Sequence, residues 1–530
     1  MMMEHVRRAI RLAASSSSGL KETAVKRSSK ICAGMSMLLL SSTALLSAPA
    51  VADPASPVAK QTFASIQPEQ FGEAGSLSNA WADFDKDGDL DFAVTMKSGA
   101  IHLYRHDNGT FVNVGVILGL PASGGEFRAI SWGDYDGDGW LDLFAGSSLP
   151  SEPSALFRNV GGKRFENVAE QVGLAVPGRS SRQNNWIDLD KDGDLDLYAT
   201  DRLGKNRLYR NDGGSFTQIL ADNDPTVFKS TVGACWLDYD EDGDLDLFLA
   251  NQAGKTDSLY RNDRDRFIDV APELGMAIPR RDQTEGGVGC AVGDYDNDGR
   301  LDIFVANYGR NVLWRNGGQG SFTNVAPQLD LDVDNHAVGA AWGDYDNDGF
   351  LDLYIASYHG QSNAQTPADA LFHNEGGKRF VNVIDDHPVV NQGDHGVEWV
   401  DYDGDGAIDL SVTRGYSPAG GHFLFKNMMP ANLAKRSVQI IVLDAAGRAV
   451  PGAEVRLYDS RKRILATRQV STGGGYGAQS VAPLHFGLKS SGKLLLAVTF
   501  LTKTGRKEQW LESVRPIHYA GKALIVRQRS

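Results

Sequence analysis

The sequence predicts an all-β protein: a seven-bladed β-propeller followed by a small C-terminal β-domain. Three observations lead there. A nine-residue acidic stretch occurs seven times at near-constant spacing, and each copy sits among short strand-like runs bounded by turn residues. The composition, 42% hydrophobic with 59 glycines, is that of a folded chain rich in turns. A length of 530 residues accommodates one large repeat domain and a smaller one, each with its own core.

Residues 1–52 read as a signal peptide. Lys26, Arg27 and Lys30 precede the apolar run ICAGMSMLLLSSTALL, and Ala50–Val51–Ala52 forms an A-x-A cleavage pattern ahead of Asp53. Serines interrupt the run and the cleavage pattern ends it, which favours export over a membrane anchor. The expected location is periplasmic, on the outer surface or secreted, with no transmembrane segment after the signal is removed. Residues 53–61 read as a linker. Cys32 leaves with the signal, while Cys235 and Cys290 lie just ahead of acidic loops in inner strands of adjacent units. They read as buried thiols, with a single disulfide as the alternative in an oxidising compartment.

Residues 62–427 hold the repeats. DFDKDGDLD (83–91) recurs as DYDGDGWLD (134–142), DLDKDGDLD (188–196), DYDEDGDLD (238–246), DYDNDGRLD (294–302), DYDNDGFLD (344–352) and DYDGDGAID (401–409), at spacings of 51, 54, 50, 56, 50 and 57 residues. Two residues ahead of the first Asp stands Trp81, Trp132, Trp186, Trp236, Trp342 or Trp399, with Val292 in the fifth copy. An apolar strand follows each loop, then a strand such as LYRN (208–211 and 259–262), a glycine-rich turn, and a strand opening on Phe such as FENV (165–168) or FTNV (322–325). Four strands taken seven times make a propeller, which protects its edges by closing radially. The chain begins with a lone Phe-strand, TFASI (62–66), and the seventh unit, ending at HFLFKN (422–427), lacks one. Residues 62–66 are therefore expected to complete the seventh blade.

In D-x-D-x-D-G-x-x-D, side chains 1, 3 and 5 converge around the turn that Gly at position 6 permits, carbonyl 7 joins them and carboxylate 9 closes the site. Two carboxylates about 5 Å apart repel by roughly 3 kcal/mol at an effective dielectric of 20. Such a cluster stays ionised only around a cation, and an all-oxygen set in a flexible loop favours Ca²⁺ over Mg²⁺. The expected metal-binding residues are Asp83, Asp85, Asp87, Asp89 and Asp91; Asp134, Asp136, Asp138 and Asp142; Asp188, Asp190, Asp192, Asp194 and Asp196; Asp238, Asp240, Asp242, Asp244 and Asp246; Asp294, Asp296, Asp298 and Asp302; Asp344, Asp346, Asp348 and Asp352; and Asp401, Asp403, Asp405 and Asp409. Up to seven Ca²⁺ are expected. An EF-hand would need Glu at position 12, where this chain has Val94, Ala145, Ala199, Leu249, Val305, Ile355 and Val412. The nine-residue loops hold 32 of the 67 acidic residues. Removing the signal, with seven Lys or Arg against two Glu, takes the net charge from −14 to −19. Seven Ca²⁺ would bring it to about −5, and this acidity argues against nucleic acid as a partner.

The motif between strands at this period resembles the FG-GAP/VCBS repeat of integrin α-type propellers. That resemblance covers residues 62–427 and implies a Ca²⁺ loop that stiffens each blade, with the position 1, 3, 5 and 9 aspartates as side-chain ligands.

After a linker (428–436), residues 437–530 alternate as strands: SVQIIVLD, AEVRLYD, KLLLAVTFLT and KALIVRQ. STGGGYGAQSVAPLHFGL (471–488) and GRAVPGAEVRL (447–457) resemble the ASPIC/UnbV domain that follows FG-GAP repeats in the cartilage acidic protein-like family. The W-P-x-G element of many members is replaced here by FLTKTGRK (500–507). GGGYG has no helix or Lys-Ser/Thr after it and reads as a turn or strand-packing element instead of a phosphate loop; His485, with no nucleophile pattern beside it, reads as packed or surface. No catalytic residues are assigned. The expected function is a non-catalytic module binding a protein or glycan in the cell envelope or outside the cell. The alternative is a propeller-based polysaccharide lyase or hydrolase, for which His336, His359, His395 and Asp394 would be the residues of interest.

Overall fold

Seven antiparallel sheets of four strands follow one another along the chain, each built as a meander whose first strand is innermost. The computed structural model describes residues 63–529 except 176–179, 220–226, 265, 279–280, 359–367, 388, 390–394, 416–419 and 491. The signal peptide, the 53–61 linker, His359 and Asp394 lie outside the described residues.

The innermost strands are Ser76–Ala82, Phe127–Gly133, Ser181–Ile187, Thr231–Leu237, Gly286–Gly293, Ala337–Gly343 and Val397–Val400, and define blades 1 to 7. Each packs against the next, and the seventh returns to the first, closing the ring. Phe63–Ile66 pairs antiparallel with His422–Asn427 as the outer strand of blade 7, as the lone Phe-strand foretold. Closure by an N-terminal strand leaves the ring without an unpaired start and end.

The innermost strands of blades 4 to 6, TVGACWL, GGVGCAVG and AVGAAWG, are rich in small residues where they crowd the axis. Tryptophans tie neighbours together: Trp132, Trp342 and Trp399 donate Nε1 to the carbonyls of Ala80, Ala291 and Ala341 in the preceding blade at 3.1–3.2 Å. The glycine after the blade-2 tryptophan, Gly133, leaves room for the next ring, since a Cβ there would lie 2.7 Å from Trp186.

Cys235 and Cys290 form a disulfide, with Cα atoms 6.2 Å apart, so the free-thiol reading is corrected. They are 55 residues apart in sequence, but innermost strands of blades 4 and 5 run side by side, which brings the two β-carbons together.

The C-terminal domain packs two sheets around one apolar core. The first holds Leu484–Gly487, Ser437–Leu443 and Leu524–Arg527; the second holds Ile464–Gln469, Glu454–Tyr458, Leu494–Thr502 and Gly505–Val514. Of these, Ile464–Gln469, Leu484–Gly487 and Gly505–Val514 are strands beyond the four that the sequence pattern marks. Gly505–Val514, GRKEQWLESV, is a polar edge strand with little alternation to detect.

Residues 471–483 leave this domain and enter the axis of the ring. Ala478 and Gln479 add a parallel strand to the inner edge of blade 2, opposite Ile130 and Ser131. Val481 bridges to Ala82 of blade 1, and Gly475 to Ala340 of blade 6. Gln479 donates to the Trp186 carbonyl and accepts from its amide, and Thr472 Oγ1 donates to the Trp236 carbonyl at 2.9 Å. The GGGYG stretch is thus a strand-packing plug. Gly475 (φ +60°) and Gly477 (φ +61°) are required there: a Cβ would lie 2.3 Å from the Val397 carbonyl and 2.8 Å from that of Arg128. His485 is packed, its Nε2 3.3 Å from the Gly406 carbonyl.

Candidate metal centres

Each acidic loop joins the innermost strand of a blade to its second strand, so all seven lie on one face of the ring. The loops repeat one hydrogen-bond plan. The position 1 carboxylate accepts from the amide of the position 6 glycine, as Asp83 does from Gly88 at 3.2 Å and Asp401 from Gly406 at 2.8 Å. Position 5 accepts from the amide of position 7, at 2.9 Å for Asp87, Asp192, Asp242, Asp348 and Asp405 and at 2.9 and 3.0 Å for Asp138 and Asp298. Position 9 accepts twice: from the amide of position 2, and from an amide at the end of the neighbouring third strand, as Asp142 does from Tyr135 (3.3 Å) and Asn159 (2.7 Å). Positions 4 and 6 are both left-handed, for example Lys86 at φ 61° and Gly88 at φ 100°.

This scaffold aims oxygens at a common point. In loops 1 to 4, oxygens from positions 1, 3 and 9 lie within 4.8 Å of one another: Asp83, Asp85 and Asp91; Asp134, Asp136 and Asp142; Asp188, Asp190 and Asp196; Asp238, Asp240 and Asp246. The Oδ1 atoms of Asp83, Asp134, Asp188, Asp238, Asp85 and Asp240 are buried with no hydrogen-bond partner. A buried carboxylate oxygen left unpaired costs free energy that a cation would offset. Donor chemistry and orphaned oxygens together fit a hard divalent cation. The position 7 side chains serve elsewhere: Asp194 faces the Gly213 amide (3.0 Å) and Arg448 (3.6 Å), Asp244 pairs with Lys191, and Asp89 is exposed.

Burial sets the electrostatics in the metal-free protein. It pushes the position 9 carboxyls of Asp91, Asp142, Asp196 and Asp352 up to about 8, and neighbouring aspartates add to the shift against the amides that oppose it. Burial likewise raises Asp83, Asp134 and Asp188 to about 6 and Asp294 and Asp401 to about 7.

A basic residue on the third strand of several blades shields the outer side. Arg158 reaches Asp136 (2.7 Å) and Asp138 (2.9 Å), and Arg315 reaches Asp296 and Asp298 (both 2.7 Å). In blade 6 this residue is His373, whose Nδ1 lies 3.2 Å from Asp352 and 3.4 Å from Asp346. Burial works against protonation of His373, but the two aspartates prevail and raise it to about 9.

The asparagine that ends each LYRN-type strand, for which sequence alone suggests no role, is the clamp between blades. Asn374 Nδ2 donates to the Leu351 carbonyl of its own loop and to the Tyr295 carbonyl of the preceding blade's loop, both at 2.9 Å. Asn159, Asn211 and Asn427 repeat this bridge to Phe84, Tyr135 and Tyr345 at 2.7–2.9 Å.

The C-terminal domain lies over the acidic face. Arg506 pairs with Asp238 (2.7 Å) and Glu454 (2.6 Å), Arg456 with Glu241 (2.7 Å), and the Gln439 amide donates to Asp401. A Cβ on Gly243 would meet Gly505 at 2.8 Å, so the turn within FLTKTGRK rests directly on loop 4. Of the histidines singled out in the sequence, His336 and His395 lie at the opposite face, where the innermost strands begin.

The family model of the FG-GAP-like repeat matches residues 83–145, 188–249, 238–305 and 294–355, each match opening on position 1 of an acidic loop and running through the next loop. These are FG-GAP-like repeats. Beyond the FG-GAP-like repeats themselves, the chain is similar to cartilage acidic protein 1 of Xenopus tropicalis, at 25% identity over 469 residues, 79% of this chain and 69% of that protein. It is 23% identical to the Mus musculus protein of that name over 510 residues, covering 86% and 75%. Among solved structures it matches one titled as the recognition of non-reducing terminal N-acetylglucosamine by an Agrocybe aegerita lectin, with 16% identity and a TM-score of 0.37 over 69% of this chain and 94% of that one. It also matches BBS1N in complex with ARL6DN, with 12% identity and a TM-score of 0.44 over 69% and 97%.

Proposed function

We propose that this protein is an exported, non-catalytic interaction module whose FG-GAP-like ring is stiffened by Ca²⁺ in its acidic loops and whose open face binds a protein or glycan outside the cytoplasm. The observation that carries this reading is the use of the acidic face. Its carboxylates follow one repeated plan suited to structural cations, and the C-terminal domain covers them and plugs the axis from that side. Among the described residues the C-terminal domain makes its contacts on the acidic side, and the opposite face is the one we assign to a partner. Similarity to proteins named cartilage acidic protein and the Cys235–Cys290 disulfide support export, since disulfides persist in oxidising compartments.

Mature Ca²⁺-loaded protein on glycan and peptide arrays, with a chelated sample in parallel, tests the reading. Binding to a defined ligand class without product formation is expected, with loss of that binding on chelation. Turnover of any polysaccharide in a panel would contradict it and favour the enzyme alternative.

A further inference from the structure

The chain is strongly acidic, yet the start of its innermost strands collects positive charge. Lys97, Arg128, Arg182 and Arg202 gather at the axial mouth opposite the acidic loops, near enough for Arg128 and Arg202 to act on the charge of Arg182 and for Arg128 to act on Lys97. Their nearby carboxylate is Glu126, which is already paired with Arg128 and accepts from Ser148 Oγ at 2.7 Å. Arg182 is only 5% exposed. Its Nη1 donates to the Ser181 carbonyl at 2.9 Å, and it has no carboxylate within ion-pair reach among the described residues. Arg182 is buried with Arg128 and Arg202 nearby, and the groups that favour its charge, Glu126 and the Tyr476 hydroxyl, are already engaged with Arg128, an arrangement that an anion would complete.

Aromatic rings line the same mouth. Tyr308 stacks on His336 with ring centres 3.7 Å apart, and Tyr358 lies parallel to both, 6.0 Å from His336 and 6.2 Å from Tyr308. Tyr476, at the tip of the axial plug, forms the floor. Its carbonyl accepts from Ser78 Oγ at 2.8 Å, its hydroxyl engages Arg128, and its ring meets His395 edge-on at 5.4 Å. Guanidinium groups hold carboxylates through paired N–H donors, and half-buried aromatic faces offer amphipathic surface to a ring-shaped ligand.

We propose that this mouth binds an acidic saccharide, its carboxylate received by Arg182 and Arg202 and its sugar ring packed beside the Tyr308, His336 and Tyr358 rings. The assignment rests on the interaction-module reading and names the ligand class for it. An extended acidic peptide offers carboxylates but no rigid ring to place against the aromatic group.

Isothermal titration of mature, Ca²⁺-loaded protein with tri-galacturonate tests it, with maltotriose, hepta-glutamate and inorganic phosphate as comparison probes. Tri-galacturonate is expected to bind at least tenfold tighter than each of the others. Arg202→Ala and Arg182→Gln are expected to weaken it at least tenfold, with an unchanged melting temperature for the exposed Arg202→Ala variant. Equal binding of maltotriose or phosphate, a preference for hepta-glutamate, or full affinity in Arg202→Ala would overturn the assignment. A glycan or peptide captured on arrays by the wild type and by both variants alike would leave the module reading standing and remove this site from it.

Discussion

At the residue scale, the repeated aspartates and their amide donors define the molecule. Positions 1, 3, 5 and 9 were legible because they recur in phase, and a seven-fold recurrence of charge demands a common cause. Two features were not. The left-handed backbone at position 4, as at Lys86 and Asn347, is adopted by Lys, Gly, Glu and Asn, so composition hides it. The inter-blade role of Asn374 depends on a carbonyl 79 residues away, which no local pattern announces.

The raised carboxyls carry a pH prediction. An aspartate whose folded pKa lies near 8, against an ordinary 3.8, keeps its proton while the unfolded chain has lost it. Stability of the metal-free protein therefore falls as pH rises from about 4 to about 8. A bound cation replaces those protons and removes the penalty. Melting temperatures with Ca²⁺ and with chelator should accordingly diverge more at pH 8 than at pH 5, and an equal gap at both pH values would count against cation binding by these carboxyls.

At the scale of elements, the blades were readable because alternation, turn glycines and period coincide, and the closing strand Phe63–Ile66 was readable from one missing strand at the other end. The disulfide was only half readable: placing Cys235 and Cys290 in inner strands of adjacent units leaves buried thiols and a single disulfide both open, because sequence does not give the distance between the two side chains. Linking blades 4 and 5 restricts the unfolded chain, and closing a loop of that length contributes about 4 kcal/mol in the chain-entropy account. Cys290→Ser should lower the urea midpoint of the Ca²⁺-loaded protein clearly; an unchanged midpoint would show that the two blades need no covalent tie.

For the whole molecule, sequence separated a propeller from a β-domain but could not show that the second seals the first. The GGGYG stretch carries no periodicity and no charge, and its meaning lies in the inner strands of separate blades that residues 471–483 meet along the axis. Arg506 and Arg456 make the same point, because their partners Asp238 and Glu241 lie more than 200 residues upstream. The ring presents its metal-type loops to its own C-terminal domain and its basic, aromatic mouth to the outside. Cations in the loops would hold blades, plug and covering domain in one register, so their number is the central quantity. Native mass spectrometry of the mature protein in Ca²⁺, before and after exhaustive chelation, measures it directly. The account predicts up to seven bound ions, lost together with a large fall in melting temperature; a protein that carries none and melts at the same temperature in chelator would contradict it.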